Sequence, residues 1–406
     1  MNKRRVVVTG LGVISSVGIG KDEFWESVIK GKSGISEVSS FDTKEFRCHR
    51  AGEIKNFIPE EFIKRKLQYL GRTSQLVIGA TSLALKDTGL SIKKINNERT
   101  GIFIGTTNGE RPLEESIDTW VKEGIDNISK VKILQASSNN ISANIADYFK
   151  FHGPNYMIPT ACAAGNYAIG YGFDMVRNGD LDYAITGGAE AFSKLAFIGF
   201  HRLYAMSSLL CQPFDKNRKG MMVGEGAGIL FLESMDSALK RNANIYAEIL
   251  GYGLSCDAYH MTATQVYGIE KAILKALKQA DIKKEEVDYI CAHGTGTPSN
   301  DKTECTAIKN IFKEKTKLIP INSIKSMLGH TMGAASAIEA LTCCLVVKED
   351  IIPPTINYET PDPQCDIDCV PNKARRKKVN IALNNAFAFG GNNSCLVIKK
   401  FNDLHC

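Results

Sequence analysis

One recurring unit constrains this chain more than any other feature: a short run of β-branched and aliphatic residues that closes on glycine. It appears in Arg5-Val-Val-Val-Thr-Gly-Leu-Gly, in Gly101-Ile-Phe-Ile-Gly and in Asp182-Tyr-Ala-Ile-Thr-Gly-Gly. It returns in Ile245-Tyr-Ala-Glu-Ile-Leu-Gly-Tyr-Gly and Val287-Asp-Tyr-Ile-Cys-Ala-His-Gly, with a related run in Val379-Asn-Ile-Ala-Leu-Asn-Asn-Ala-Phe. Such runs read as buried strands, and their glycines as the turns that follow. Between them the apolar period changes. Leu76, Val77, Ala80, Leu83 and Ala84 share one face of a helix expected over 74–86, and Ile269, Ala272, Ile273, Ala276 and Leu277 one over 268–279. Strands alternating with helices imply an α/β fold with mostly parallel pairing. The set occurs twice, which divides the chain into halves 1–243 and 244–406 joined by the charged stretch Glu233–Asn244.

The bulk properties exclude several classes. A chain of 406 residues can hold two domains or one duplicated one. Its formal net charge of +6 is too mild for a dedicated nucleic-acid binder and does not oppose an acidic partner. The N-terminus runs directly into strand-like sequence without a signal-peptide pattern, and no apolar stretch reaches the ~18 residues of a membrane span. The twelve cysteines are irregularly spaced and form no CxxC pair, which argues against a disulfide framework and a structural zinc site. Free thiols in a reducing cytoplasm are the expectation. The basic run Lys373-Ala-Arg-Arg-Lys-Lys reads as a solvated loop.

Four segments carry candidate chemistry. In Pro159-Thr-Ala-Cys-Ala-Ala-Gly-Asn, small residues flank Cys162 and a helical pattern follows, with Ile169, Phe173 and Val176 on one face. A cysteine at a helix start is either a buried structural thiol or a nucleophile whose thiolate the helix end favours. His293-Gly-Thr-Gly-Thr-Pro follows a strand, at the edge where α/β sheets place ligands; the alternative is a histidine satisfied in a turn. Thr295 and Thr297 offer hydroxyls to a polar ligand. In Asn322-Ser-Ile-Lys-Ser-Met-Leu-Gly-His-Thr-Met-Gly, His330 lies in a glycine-flanked turn and Lys325 stands in a stretch without other charge. That lysine is either a surface residue or a buried one with a partner, for which Glu304 is a candidate. The fourth segment is the glycine-rich Asn385-Ala-Phe-Ala-Phe-Gly-Gly-Asn-Asn. A cysteine with one histidine suits many acyl transfers. Two histidines without an evident aspartate suit another task, holding a thioester oxygen while charge builds at an enolate.

These motifs in this order resemble the β-ketoacyl-acyl-carrier-protein synthases, nearest the type II elongating class. The resemblance runs over nearly the whole chain. Besides the segments above it includes Val7-Val-Thr-Gly-Leu-Gly-Val-Ile-Ser, Gly187-Gly-Ala-Glu-Ala, Pro213-Phe-Asp-Lys-Asn-Arg, Gly224-Glu-Gly-Ala-Gly, Asn300-Asp-Lys-Thr-Glu and Ile352-Pro-Pro-Thr-Ile-Asn. It implies a thiolase fold: two similar halves, each with a five-stranded mixed sheet, in α-β-α-β-α layers. It further implies Cys162 as the acyl-accepting nucleophile, His293 and His330 as the pair that binds the malonyl thioester, and Lys325 with Glu304 as a buried pair. Phe389 would gate the site, its N–H joining that of Cys162 in an oxyanion hole, and Thr295 and Thr297 would contact pantetheine. No cofactor is implied, because phosphopantetheine arrives on the acyl carrier protein. The implied assembly is a homodimer, or a heterodimer with a related subunit.

Two departures stand out. Ala388 occupies the position before the gating phenylalanine where the family carries glycine, which narrows the accessible backbone conformations. Asn108 falls where elongating synthases present an apolar residue to the acyl tail; it either lines that pocket or caps a turn before Gly109. Both departures resemble ketosynthases of specialised polyketide or polyene pathways. For carrier-protein docking, Lys64, Arg65 and Lys66 form a basic cluster that is otherwise a solvated helix face, and the resemblance places Arg202 near the entrance. Two rivals remain. A thiolase would need a second catalytic cysteine, for which Cys395 is available although its setting reads as a strand. A non-catalytic chain-length factor would lack the nucleophile that Cys162 supplies.

Overall fold

The computed structural model describes residues 3–402. Ten strands carry the fold. In the first part these are β1 (Val6–Ser15), β2 (Thr100–Gly105), β3 (Asn155–Ile158), β4 (Tyr183–Glu190) and β5 (Gly226–Ser234). In the second they are β6 (Ala247–Cys256), β7 (Tyr289–Cys291), β8 (Ile321–Asn322), β9 (Ile381–Phe387) and β10 (Asn392–Lys400). The sheet order is β8-β7-β9-β10-β6-β1-β5-β4-β2-β3. Read inward from each edge, the two parts run 3-2-4-5-1 and 8-7-9-10-6, the same order displaced by five. The directions match as well: β2 is parallel to β3 and β4, as β7 is to β8 and β9, while the remaining pairs are antiparallel. The two five-stranded sets meet where Val6–Val8 of β1 pair antiparallel with Ala247–Ile249 of β6.

Helices explain why this long sheet folds back on itself. α1 (Arg72–Asp87) packs on β1 and β5, and α4 (Val266–Ala280) on β6 and β10, each by the apolar face its sequence period marks. α2 (Ala164–Asn178) and α6 (Ala335–Glu349) lie between the two sets and touch each other, giving five layers of thiolase type. α6 is buried on every side from Ala335 to Val347, as a central helix must be. Two further helices matter for the site, α3 (Lys194–Arg202) and α5 (Pro298–Phe312). None of the helices among the described residues is long and apolar enough to cross a membrane.

Two of the glycines expected in turns serve a different purpose. Gly12 lies inside β1, not in a turn, and a Cβ there would come within 1.9 Å of the Ala80 carbonyl of α1. Gly253 is its counterpart in β6, with the Ala272 carbonyl of α4 at 2.0 Å. Glycine lets the outer helices lie on the sheet at backbone distance. All eleven cysteines among the described residues are free thiols.

Candidate active site

Cys162 sits in the 3₁₀ turn Ala161–Ala163 that leads directly into α2. The preceding Ala161 is held at φ 50°, a left-handed conformation that a side-chain-bearing residue adopts only at a cost. The turn thereby points Cys162 into a small cavity while its neighbours bury it to 7% exposure. His293 follows β7 and His330 precedes α6, both at sheet or helix ends facing the same cavity. The Cys162 sulfur and one ring nitrogen from each histidine lie within 4.8 Å of one another, and the two rings meet edge to face at 5.4 Å. Three such ligand atoms could in principle clasp a metal, but the buried ammonium of Lys325 in the same site opposes a dication.

The protonation states follow from burial. Burial, then the charge of Lys325, then His330 push His293 well below the usual imidazole range. Burial and Lys325 do the same to His330. Both rings are therefore neutral near pH 7 and donate one N–H each. For His330 the tautomer is fixed: its Nδ1 accepts from the Met332 N–H at 3.1 Å, so the proton sits on Nε2. Cys162 departs from the thiolate expected at a helix start. Burial raises its thiol to about 12, and the opposing effect of Lys325 does not offset it.

Lys325 is buried, as one reading of the sequence held, but its partner is not Glu304. Its Nζ pairs with Glu339 of α6, in the second turn of the helix that follows His330. Burial raises Glu339 to about 7, with Lys325 acting in the opposite direction. Glu304 of α5 instead accepts the backbone N–H groups of His293 at 2.9 Å and Gly294 at 2.8 Å. Asp301 of the same helix takes those of Thr295 at 3.0 Å and Gly296 at 3.2 Å. The two acids thus hold the whole turn that presents His293. Glu339 could have been found from the sequence, because it is the lone charge in the apolar run from Ala334 to Val347.

Phe389 lies at the cavity mouth with its ring 5.6 Å from that of Phe200 in α3. Together they close the space over Cys162 to about 70 Å³. Ala388 is extended at φ −118°, ψ 155°, so alanine is unstrained in this closed state, and Gly390 and Gly391 supply the left-handed turn at φ 81° and 78°. Thr295 and Thr297 line the cavity with their hydroxyls 2.9 Å apart, beside Thr262, Thr264, Ser299 and Asn300.

Other candidates fall elsewhere. Asn108 is exposed and does not line this cavity; its backbone N–H donates to Glu190 at 2.9 Å. Cys395 is wholly buried in β10, opposite Asn385, and offers no second nucleophile. Lys64, Arg65 and Lys66 lie in an irregular segment, not on a helix. Arg65 is committed to Asp147 and the Tyr148 ring, while Lys64 and Lys66 are exposed. Arg202 is exposed at the end of α3, two residues beyond Phe200.

Profiles of the beta-ketoacyl synthase N-terminal and C-terminal domains match residues 3–238 and 246–359. The chain belongs to the beta-ketoacyl synthase family. It is 40% identical to the 3-oxoacyl-[acyl-carrier-protein] synthase 2 of Synechocystis sp. over 99% of both chains. The structure of the ishigamide ketosynthase/chain length factor superposes with a TM-score of 0.96 at 42% identity, covering 98% of this chain and 100% of that one. A type II PKS ketosynthase, bound to the hexaketide and solved with its acyl-carrier protein, gives 0.91 at 34% identity over 98% and 100%.

Proposed function

We propose that this synthase extends an acyl chain by decarboxylative Claisen condensation with malonyl-carrier protein. The observation that carries the reading is the buried trio of Cys162, His293 and His330 within 4.8 Å, in a chain of this family. The Cys162 sulfur attacks an acyl thioester, forms the acyl-enzyme and releases the carrier thiol. Because burial keeps the thiol protonated, its proton leaves during attack; His293 is the imidazole within reach that can take it and pass it to the departing carrier sulfur, since His330 already carries its proton on Nε2 and engages Met332 through Nδ1. The malonyl thioester then loses carbon dioxide. Its carbonyl oxygen gains charge, which the neutral histidines stabilise by N–H donation. The resulting enolate carbon attacks the acyl carbonyl and expels the Cys162 sulfur. Backbone N–H groups of Cys162 and Phe389 receive the oxyanion of each tetrahedral intermediate.

Burial, and after it the charge of Lys325, keeps both rings neutral, and Glu339 pairs with that lysine. The hydroxyl-rich mouth at Thr295 and Thr297 suits the amides of pantetheine, and the closed pair Phe200–Phe389 must part to admit the acyl arm. Phosphopantetheine delivered by the carrier protein suffices, with no resident cofactor. Arg202 offers an acidic carrier protein an exposed charge two residues beyond Phe200. We place the enzyme in the cytoplasm as a dimer, with itself or with a related subunit, serving fatty acid or polyketide elongation. The test supplies acyl-carrier protein and malonyl-carrier protein to the purified chain. Intact mass should show an acyl adduct on Cys162, followed by a 3-oxoacyl product longer by two carbons. Absence of both sinks the reading.

A further inference from the structure

Of the buried carboxylates that the reaction described above leaves unused, Glu190 reaches the His330 turn. Glu190 ends β4 and is 1% exposed. Its Oε2 accepts from the Thr107 N–H at 2.7 Å and the Gly333 N–H at 3.0 Å. Its Oε1 accepts from the Asn108 N–H at 2.9 Å and the Thr106 hydroxyl at 3.4 Å. A single side chain therefore holds two turns far apart in sequence. One is the turn 106–109 after β2, whose Asn108 reaches the surface. The other follows His330, and its Met332 N–H, one residue before Gly333, fixes the His330 tautomer.

The two turns are also in direct contact. A Cβ on Gly333 would lie 2.4 Å from the Thr106 Cα, so neither backbone can shift without moving the other. The outer turn is itself stiff: the Gly109 N–H donates to the Thr106 hydroxyl at 3.2 Å, and Glu110 accepts the Thr73 and Ser74 N–H groups at 3.2 and 2.9 Å. Motion at Asn108 has no soft segment in which to dissipate. The path from the surface to the imidazole is short: turn 106–109, the Glu190 carboxylate, the Met332–Gly333 backbone, His330 Nδ1.

We propose that Glu190 is a positioning residue that couples the surface turn at Asn108 to the His330 turn, so that contacts made at Asn108 change how His330 presents its Nε2–H. The effect on rate rests on the condensing role of His330 proposed above; the effect on the ring does not. Glutamine at 190 keeps the shape but places an NH₂ against N–H donors, loosening the cradle. With ¹⁵N-labelled histidine, folded Glu190→Gln should show His330 shifted from a pure Nε2–H signal toward a mixture of tautomers.

In kinetics, malonyl decarboxylation should fall about tenfold, as expected for a misplaced donor, while acylation of Cys162 stays within about twofold. Glu190→Asp should recover much of the loss. Glu190→Gln added to His330→Ala should slow decarboxylation no further. Asn108→Ile should alter the decarboxylation rate in the wild type and leave it unaltered beside Glu190→Gln. Should Glu190→Gln fail to fold, Thr106→Val removes at equal volume the hydroxyl that donates to Glu190 and accepts from the Gly109 N–H, and should move the His330 signal in the same direction. An unchanged His330 spectrum in a folded variant overturns the coupling, whatever the activity. So does equal slowing of both half-reactions, or a further loss in the His330→Ala background. A wild type that never acylates Cys162 would instead strike at the condensing reading, and the His330 spectrum would still judge the coupling.

Discussion

The turns that open α2 and α6 are the same device built twice. Thr160 and Thr331 precede them at φ −96°, ψ 37° and φ −85°, ψ 27°. Ala161 and Met332 follow at φ 50° and 47°, both left-handed without being glycine. Then come Cys162-Ala-Ala and Gly333-Ala-Ala, each running into a central helix. At the matching position one half carries a thiol and the other cannot carry a side chain at all, because Thr106 occupies the space. The duplicated fold supplies two strained perches, and side-chain volume alone decides which becomes the nucleophile. The turns after β2 and β7 show the same pairing. Glu190 gathers the N–H groups of Thr107 and Asn108, and Glu304 those of His293 and Gly294. One of those turns carries a catalytic imidazole; the other reaches the surface.

The strongest way to break the comparison is at the perches themselves. Cys162→Ala should abolish acyl uptake from a thioester, read by intact mass, with unfolding nearly unchanged. Residual uptake would mean that the thiol is not the nucleophile. The next effect is at the histidines: His293→Ala and His330→Ala should each slow malonyl decarboxylation by about 10²–10³, the usual loss for one preorganised donor. Acylation of Cys162 should suffer less. Equal losses in both steps would show a folding defect in place of a missing donor.

Stability separates Glu339, which pairs with Lys325, from Glu304, the partner expected from the sequence. Glu339→Gln strands a buried ammonium and should cost about 3–5 kcal/mol in denaturant unfolding. Glu304→Gln takes one carboxylate acceptor from the His293 and Gly294 N–H groups and should cost about 1–3 kcal/mol. The reverse order would return Lys325 to Glu304. Smaller still, Gly333→Ala should cost about 1–3 kcal/mol by overpacking against Thr106, where Cys162→Ala costs little. Equal stability of the two variants would remove the steric reason for the asymmetry.

The least effect is in acid. His293 and His330 titrate below the ~6.5 of the unfolded chain, so below that pH the unfolded state binds more protons and stability falls as pH drops. The glutamates raised to about 7, Glu110, Glu190, Glu304 and Glu339, act the other way, losing stability as pH rises from their unfolded value toward 7. His330→Ala should therefore flatten the acid side of the difference from wild type. An identical pH dependence would place that ring outside the buried, neutral setting.

What the sequence determined by itself is local. The period of Leu76, Val77, Ala80 and Ala84 specified the buried face of α1, and the small residues around Cys162 its perch at a helix start. The order of motifs was enough to suggest a family, because each motif sits at an element end and function is read there. What it left open involves partners distant along the chain. The glycines of β1 and β6 look like turn residues until the carbonyls of α1 and α4 are laid against them. The reactive-looking thiol is pushed up to about 12 because folding withdraws it from water. Lys325 chose Glu339 over Glu304 because α6 packs its apolar length between the two sheets and brings its buried Glu339 to the lysine. Spacing along a chain sets which face a residue shares, whereas burial, and with it charge state and partner, is set only when the two halves close on each other.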